Sequence, residues 1–345
     1  MIDNVRMIEV TMTKLSQRKI HSILSVLHVA QRPLGGARLA QKLQEVSLEL
    51  SQRTVRYYLQ RMDQQGLTQN LGKRGRIITA KGEEELKSAF VIEKVGFIAS
   101  KIDNLTCQMS FSFRKARGKI ILNFSIFNKE YFSKAVFYIK SVFRAGLGMG
   151  RFVAVGYPGT NVGSFRISHG QVGIGTVCSV TINGIFLNEG IHLTSRFGGL
   201  LEMHNRMPVR FTQIINYDGT SIDPLEIFIK GGMTAAYQAS LTGNGKIGAS
   251  FREVPSVAIP KVMKIKKKLD ALGMGGVLMV GKPGQALLDI PVSEGRAGMI
   301  VAGGLNPLAA VEECGIPTEN VALGTLFDFD QLIPFWELDS SAAML

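Results

Sequence analysis

The chain has 345 residues, 46% of them hydrophobic and 19% charged, which describes a folded, soluble protein of two or three domains. No apolar run reaches the roughly 18 uninterrupted residues of a spanning helix, and Met1 to Lys14 lacks the apolar centre of a signal peptide, so the cytoplasm is the expected location. The net charge is +13, and residues 1–92 hold 15 Lys+Arg against 8 Asp+Glu while the other 253 residues hold 25 against 19, so a polyanion would bind at the N-terminal end.

Arg18 to Gln31 reads as a first helix, its apolar face made by Ile20, Ile23, Leu24, Leu27 and Val29 and its end marked by Pro33. Gly35-Gly36 opens a short second helix, Ala37 to Glu45, buried through Leu39, Ala40 and Leu43. Val46 to Leu50 leads into a third. Ser51 suits its N-cap, because a serine hydroxyl accepts a free amide of the first turn, and Val55, Leu59 and Met62 recur at helical spacing as an inward stripe. The opposite face carries Gln52, Arg53, Arg56, Tyr57 and Gln60, side chains able to reach phosphates and base edges in a major groove. Tyr57 is expected outward, with its neighbour Tyr58 inward. Leu67 to Gln69 and Ile77-Ile78 then flank a glycine-bounded basic tip, Lys73-Arg74-Gly75-Arg76. Three helices, a basic capped third and a basic hairpin follow the winged helix-turn-helix order, so residues 1–92 are expected to form a DNA-binding domain. Thr79 to Phe90 reads as a linking helix with an acidic first turn.

From residue 93 the texture changes to strands and glycines, and an internal repeat appears. Leu147-Gly-Met-Gly150 returns 125 residues later as Leu272-Gly-Met-Gly275, and Val155-Gly-Tyr-Pro-Gly159 as Val280-Gly-Lys-Pro-Gly284. Ser168, Gly170, Gly173, Gly190 and Ile191 fall on Ser293, Gly295, Gly298, Gly315 and Ile316; upstream, Gly118-Lys-Ile120 matches Gly245-Lys-Ile247. Residues 118–211 and 245–335 are therefore two copies of one module. Each reads strand (Lys119 to Phe127; Lys246 to Arg252), helix (Lys129 to Ala145; Lys261 to Ala271), strand (Phe152 to Gly156; Val277 to Gly281), then strand and helix pieces near Val172 to Asn188 and Gly298 to Glu313. The fold class is α+β: an N-terminal winged helix followed, over 93–345, by an α/β effector and dimerisation domain of two duplicated ferredoxin-like units. The Gly-Met-Gly elements follow a helix and precede a strand, the reverse of the dinucleotide fingerprint, so helix caps and tight turns account for them.

Catalytic and metal signatures are missing. There is no Gly-x-x-x-x-Gly-Lys-Ser/Thr, His-Glu-x-x-His or Gly-x-Ser-x-Gly, the five histidines lack ligand spacing, and Cys107, Cys178 and Cys314 form no Cys-x-x-Cys pair. No metal or cofactor is expected, the cysteines are expected as buried free thiols, and an enzyme is a poor reading. A winged helix joined to a catalytically silent domain points to a sensor that reports a small molecule to DNA.

The winged helix of Arg18 to Arg76, together with Cys178-Ser-Val-Thr-Ile-Asn-Gly184, Arg196-Phe-Gly-Gly-Leu-Leu-Glu202 and Gly324-Thr-Leu-Phe-Asp328, resembles the NrpR nitrogen-regulatory repressors of methanogenic and related archaea. The resemblance covers nearly the whole chain. It implies a homodimer that represses nitrogen-assimilation and nitrogen-fixation promoters at palindromic operators in double-stranded DNA, with 2-oxoglutarate as the ligand that weakens binding. Some members carry two effector domains; this chain has room for one, which fits the form that works beside a separate corepressor.

A dicarboxylate keto acid needs cationic donors and hydroxyl or amide donors in a dry cleft. Within the polar turn of Cys178 to Asn183 and the stretch reaching Arg206, the candidates are Ser179, Thr181, Asn183, His192, Arg196 and Arg206. Two rivals stay open: a repressor sensing another metabolite, and an RNA-binding or nuclease-accessory protein, since related winged helices occur beside ribonuclease domains.

Overall fold

The computed structural model of the chain describes residues 19–20, 22–30, 32–45, 50–86, 97–113 and 115–344. They fall into two compact units, Met1–Gly96 and Phe97–Leu345. Arg18, Gln31, residues 46–49 and residues 87–90 of the expected Thr79 to Phe90 helix lie outside the described residues.

The first unit runs α1 (22–30), α2 (Gly36–Glu45), α3 (Gln52–Gln64), β1 (Thr68–Asn70), β2 (Arg76–Ile78) and α4 (80–86). Ile23, Leu24, Leu27, Leu39, Leu43, Val55, Leu59 and Met62 form one buried core, and β1 pairs antiparallel with β2. Val29 departs from the expected apolar face and is 78% exposed. Two residues beyond Leu27 on a helix, it is turned roughly 200° away from it.

The second unit opens with α5 (Ile98–Gln108) and then holds the duplication. The first copy is β3 (Lys119–Asn128), α6 (Phe132–Arg144), β4 (Phe152–Gly156), the small hairpin β5 (Asn161–Val162) and β6 (Phe165–Arg166), β7 (Gln171–Val177), α7 (Thr181–Asn188) and β8 (Thr194–His204). After β9 (Met207–Asn216), α8 (Pro224–Lys230) and α9 (Ala236–Thr242) comes the second. It consists of β10 (Gly245–Pro255), α10 (Ile259–Ala271), β11 (Val277–Val280), β12 (Arg296–Ala302), α11 (Asn306–Glu313) and β13 (Glu319–Asp328), with β14 (Ile333–Pro334) closing the order.

Each copy is thus a βαββαβ module, as its sequence implies, but neither closes its own sheet. One sheet has the order β13-β3-β7-β4-β14 and the other β11-β12-β10-β8-β9, with every pairing antiparallel. The fourth strand of the first copy, β8, pairs with the first strand of the second, β10, and β13 pairs in return with β3. The two ferredoxin-like units exchange their last strands. The exchange makes the duplicated region one folding unit, because neither half can satisfy its first strand's backbone without the other.

The amphipathic helices follow from residue spacing. In α6, Phe132, Ala135, Val136, Ile139 and Phe143 are buried, a three-and-four stripe packed on β4 and β7; each large apolar side chain buried this way contributes about 1.5–3 kcal/mol. The copies also share polar anchors. Thr181, the first residue of α7, donates its hydroxyl to the Ile121 carbonyl at 3.0 Å and accepts from the Ile121 amide at 3.1 Å. Asn306, the first residue of α11, does the same for Gly248, at 2.9 and 2.8 Å. Each second helix is pinned to its own copy's first strand.

The structure corrects two sequence expectations here. Cys178 is buried, but Cys107 is exposed and Cys314 half-buried. The 125-residue offset of the Leu-Gly-Met-Gly text also does not extend to the helices: α6 and α10 start 127 residues apart, as Gly118 and Gly245 do, so the glycine just past each helix is Gly146 (φ 71°) and Gly273 (φ 73°). The first copy's loop is longer, and the shared Leu-Gly-Met-Gly text hides the slip. Among the described residues, no helix is long and apolar enough to cross a membrane.

Candidate DNA-reading face and effector site

In the first unit, Ser51 accepts a hydrogen bond from the Thr54 amide at 3.1 Å and so caps α3. With Val55, Tyr58, Leu59 and Met62 turned into the core, Gln52, Arg53, Arg56, Tyr57 and Gln60 are all left exposed on one face. Tyr57 stands out as expected, its hydroxyl 3.4 Å from the Arg61 guanidinium, while Tyr58 packs inward edge-on against it. Lys73 and Arg74 sit exposed on a tight turn between β1 and β2. Gly75 allows that turn to approach the core: its φ is 104°, and a Cβ there would lie 2.4 Å from the Leu34 carbonyl carbon.

Arg76 is placed differently from its tip neighbours. Its Nε donates to Asp63 on α3 at 2.8 Å in a largely buried pair, and Asp63 also accepts from the Thr68 hydroxyl at 2.6 Å. Arg76 therefore ties the hairpin to α3, leaving Lys73 and Arg74 as the free cations. We expect Lys73→Ala and Arg74→Ala each to weaken binding to all DNA sequences alike and to reduce the slope of log affinity against log salt by about 1. Filter-binding titrations across salt concentrations check this; an unchanged slope would count against phosphate contacts.

In the second unit, the six sequence-chosen effector candidates separate. Ser179, Thr181 and Asn183 are buried together, Ser179 in the turn just before α7 and Thr181 and Asn183 in its first turn. Thr181 is committed to the Ile121 backbone. His192 is exposed, and Arg206 is exposed in the β8–β9 turn, where both Asn205 and Arg206 have positive φ. Arg196 is half-buried and ion-paired with the buried Glu253.

The residue that organises Ser179 and Asn183 was not among the candidates. Arg252, in the middle of β10, has no exposed surface. Its Nε donates to Asn183 Oδ1 at 2.7 Å, one terminal nitrogen to Ser250 Oγ at 2.6 Å and the other to Ser179 Oγ at 3.2 Å, while Asn183 Nδ2 donates to Ser195 Oγ at 2.9 Å. Among the described residues, no carboxylate pairs with this guanidinium; its chain neighbour Glu253 faces the other way and is taken by Arg196. Burial pulls Arg252 below its ordinary pKa, opposed by Tyr217 and Cys178. Burial likewise pushes the Cys178 thiol up to about 12 and raises the Tyr217 phenol. Hydroxyl and amide dipoles thus surround a cation with no counter-ion. A buried charge without a partner is costly, and an anion is what such a nest lacks.

Asp223, the N-cap of α8, adds a pH-sensitive group nearby. Burial raises its carboxyl to about 6, against roughly 3.9 in an unfolded chain. The folded state binds a proton that the unfolded state lacks between about pH 4 and 6, so stability from this group falls as pH rises through that window and stays low above it. Asp223→Asn retains an oxygen for the Leu225 amide, now held at 2.9 Å, and should raise stability at pH 7 by up to about 2–3 kcal/mol while leaving pH 4 unchanged. Urea melts at both pH values test this; a variant less stable at pH 7 contradicts it.

Comparisons with known proteins agree with this architecture. Residues 21–86 match the ribonuclease R winged-helix domain, and residues 95–333 match the NrpR regulatory domains NRD1 and 2. The global nitrogen regulator NrpRI of Methanosarcina mazei is 33% identical over 92% of this chain and 97% of its own length. The global nitrogen regulator NrpR of Methanococcus maripaludis is 30% identical over 90% of this chain, which spans 54% of that longer protein. Among solved structures, a nitrogen repressor-like protein from Methanococcus jannaschii superposes with a TM-score of 0.60 at 29% identity, covering 70% of this chain and 99% of that one. Fold and sites together define a winged-helix regulator with a duplicated α+β domain. The chain belongs to the NrpR family of nitrogen regulators.

Proposed function

We propose that the chain is a homodimeric transcriptional repressor of nitrogen-assimilation and nitrogen-fixation genes that binds palindromic operator DNA and releases it when 2-oxoglutarate occupies the effector unit. The DNA half rests on the exposed α3 face and the free Lys73 and Arg74. Two recognition helices must lie about one helical turn apart, roughly 34 Å or a multiple, to enter successive major grooves, and a dimer supplies that spacing.

The observation that carries the effector half is Arg252, a buried guanidinium held, among the described residues, by neutral oxygens. A ligand carboxylate would supply its missing counter-charge, with Ser179, Ser250 and Asn183 as hydrogen-bonding neighbours. Arg196, which holds Glu253 on the other face of β10, lies outside this nest. His192 and Arg206 lie outside this nest and have no part in the reading. The unit works by binding, without catalysis, metal or cofactor; a corepressor with further effector domains is a compatible partner.

Calorimetry with 2-oxoglutarate tests the ligand: a saturable heat supports it, and its absence through a millimolar titration leaves a repressor of another metabolite. The ribonuclease R winged-helix match keeps one second reading in view. Tighter binding to structured RNA than to palindromic DNA in direct competition would favour an RNA-binding role.

A further inference from the structure

The two Gly-Met-Gly loops meet. The Gly150 amide donates to the Gly275 carbonyl at 2.5 Å, and above this contact opens a cleft of about 590 Å³, a size suited to a ligand of a few tens of heavy atoms. One wall is the end of α6 with Arg144; Arg151 stands just beyond Gly150. The other wall is Phe335 and Trp336. That wall is fixed: the Phe335 amide donates to the Arg151 carbonyl at 2.9 Å, its ring stacks on Phe143 at 5.1 Å, and the buried Lys140 ammonium donates to the Trp336 carbonyl at 3.1 Å and pairs with Asp339. The Trp336 indole is half-exposed, at 52%.

The charge of the cleft is one-sided. Arg144 and Arg151 are both exposed and, among the described residues, neither guanidinium has an acidic or hydrogen-bonding partner, whereas the one acid in the lining, Asp270, already pairs with Lys266. The duplication did not copy this feature: at the helix offset of 127 Arg144 falls on Ala271, and Arg151, the residue before β4, corresponds to Gly276, the residue before β11. Two free guanidiniums are suited to phosphate oxygens through forked hydrogen bonds, and an exposed indole braced from behind is a platform for a flat heterocycle. A simple anion would leave the aromatic wall unused, and a neutral ring would leave the arginines unpaired.

We propose that this cleft binds a nucleoside phosphate, the base against Trp336 and the phosphate on Arg144 and Arg151. The site is separate from the Arg252 nest, and neither inference depends on the other. Trp336 is the single tryptophan of the chain, so its emission reports this wall alone. The full chain is titrated with AMP, ATP, adenosine and inorganic phosphate, by fluorescence and by calorimetry. AMP or ATP should quench Trp336 saturably, adenosine should bind at least about tenfold more weakly, and Arg144→Ala and Arg151→Ala, both surface changes, should each cost about tenfold in affinity. Neither quenching nor heat with any nucleotide up to about 5 mM would overturn the proposal. So would an unchanged affinity in the Arg144→Ala, Arg151→Ala double variant, or inorganic phosphate binding as tightly as AMP, which would reduce the cleft to an anion site.

Discussion

Arg252→Met is expected to leave the protein nearly as stable as the parent while abolishing its response to 2-oxoglutarate. The substitution removes a guanidinium that is fully buried and, among the described residues, has no carboxylate partner. Losing its three hydrogen bonds leaves Asn183 Oδ1 unpaired, at about 1–3 kcal/mol, while the two serine hydroxyls can turn to other acceptors. Against that stands relief of the desolvated charge, which costs several kcal/mol when uncompensated, and methionine fills much of the vacated volume. The two nearly cancel, so the melt should shift by less than about 2 kcal/mol in either direction. Ligand binding has no such offset. A carboxylate that loses a charge-assisted partner should bind at least about a hundredfold more weakly, and the roughly 2.7 kcal/mol of stabilisation that a ligand gives at a hundred times its Kd should vanish. A large loss of stability with the ligand response intact would assign Arg252 a purely structural role.

The second large effect is expected at α3. Arg53→Ala and Arg56→Ala should each weaken operator binding by about 1–3 kcal/mol, roughly ten- to a hundredfold, and at least one should relax discrimination at a defined base pair. Both side chains are exposed on the face opposite the Val55, Leu59 and Met62 stripe, so neither change should disturb the core. Gel shifts with operator and scrambled duplexes separate the outcomes. Equal shifts for both variants and the parent would remove α3 as the reading helix.

Much of the fold is legible because local rules agree with it. Ser51 caps where a serine should, the buried stripe of α3 keeps its period, and the copied pairs Gly159/Gly284 and Gly190/Gly315 mark equivalent turns in both modules. The strand exchange has no such local mark. β8 and β13 carry the residues of a fourth strand in either arrangement, and only the pairing itself decides which sheet receives them. The effector residues were half legible for a related reason. Cys178 to Asn183 reads as a polar turn, and that holds as far as Val180, but α7 begins at Thr181, which is anchored to Ile121. That change of element aims Asn183 at Arg252.

Arg252 itself breaks the pattern a reader relies on. A charged residue inside a run such as Gly248-Ala-Ser-Phe-Arg252 is ordinarily assigned to a solvent face, yet β10 is covered on both sides and its chain neighbour Glu253 is turned to Arg196. The available signal was the comparison between copies. The offset of 127 that matches Gly118 to Gly245 sets Ser125 against Arg252, so the second module has gained a cation where the first has a hydroxyl bonded to Asn320 at 2.6 Å. Arg76 shows the same limit in the first unit. Its position beside Lys73 and Arg74 suggested a phosphate contact, and only folding reveals Asp63 waiting for it.

The measurement that tests most directly whether a metabolite governs DNA binding is a gel shift of the full chain on operator DNA at fixed salt, with and without 2-oxoglutarate. The shifted complex should form without the ligand and dissociate as its concentration rises, in the parent but not in Arg252→Met. Operator binding that is equally tight at every ligand concentration in the parent would contradict the account.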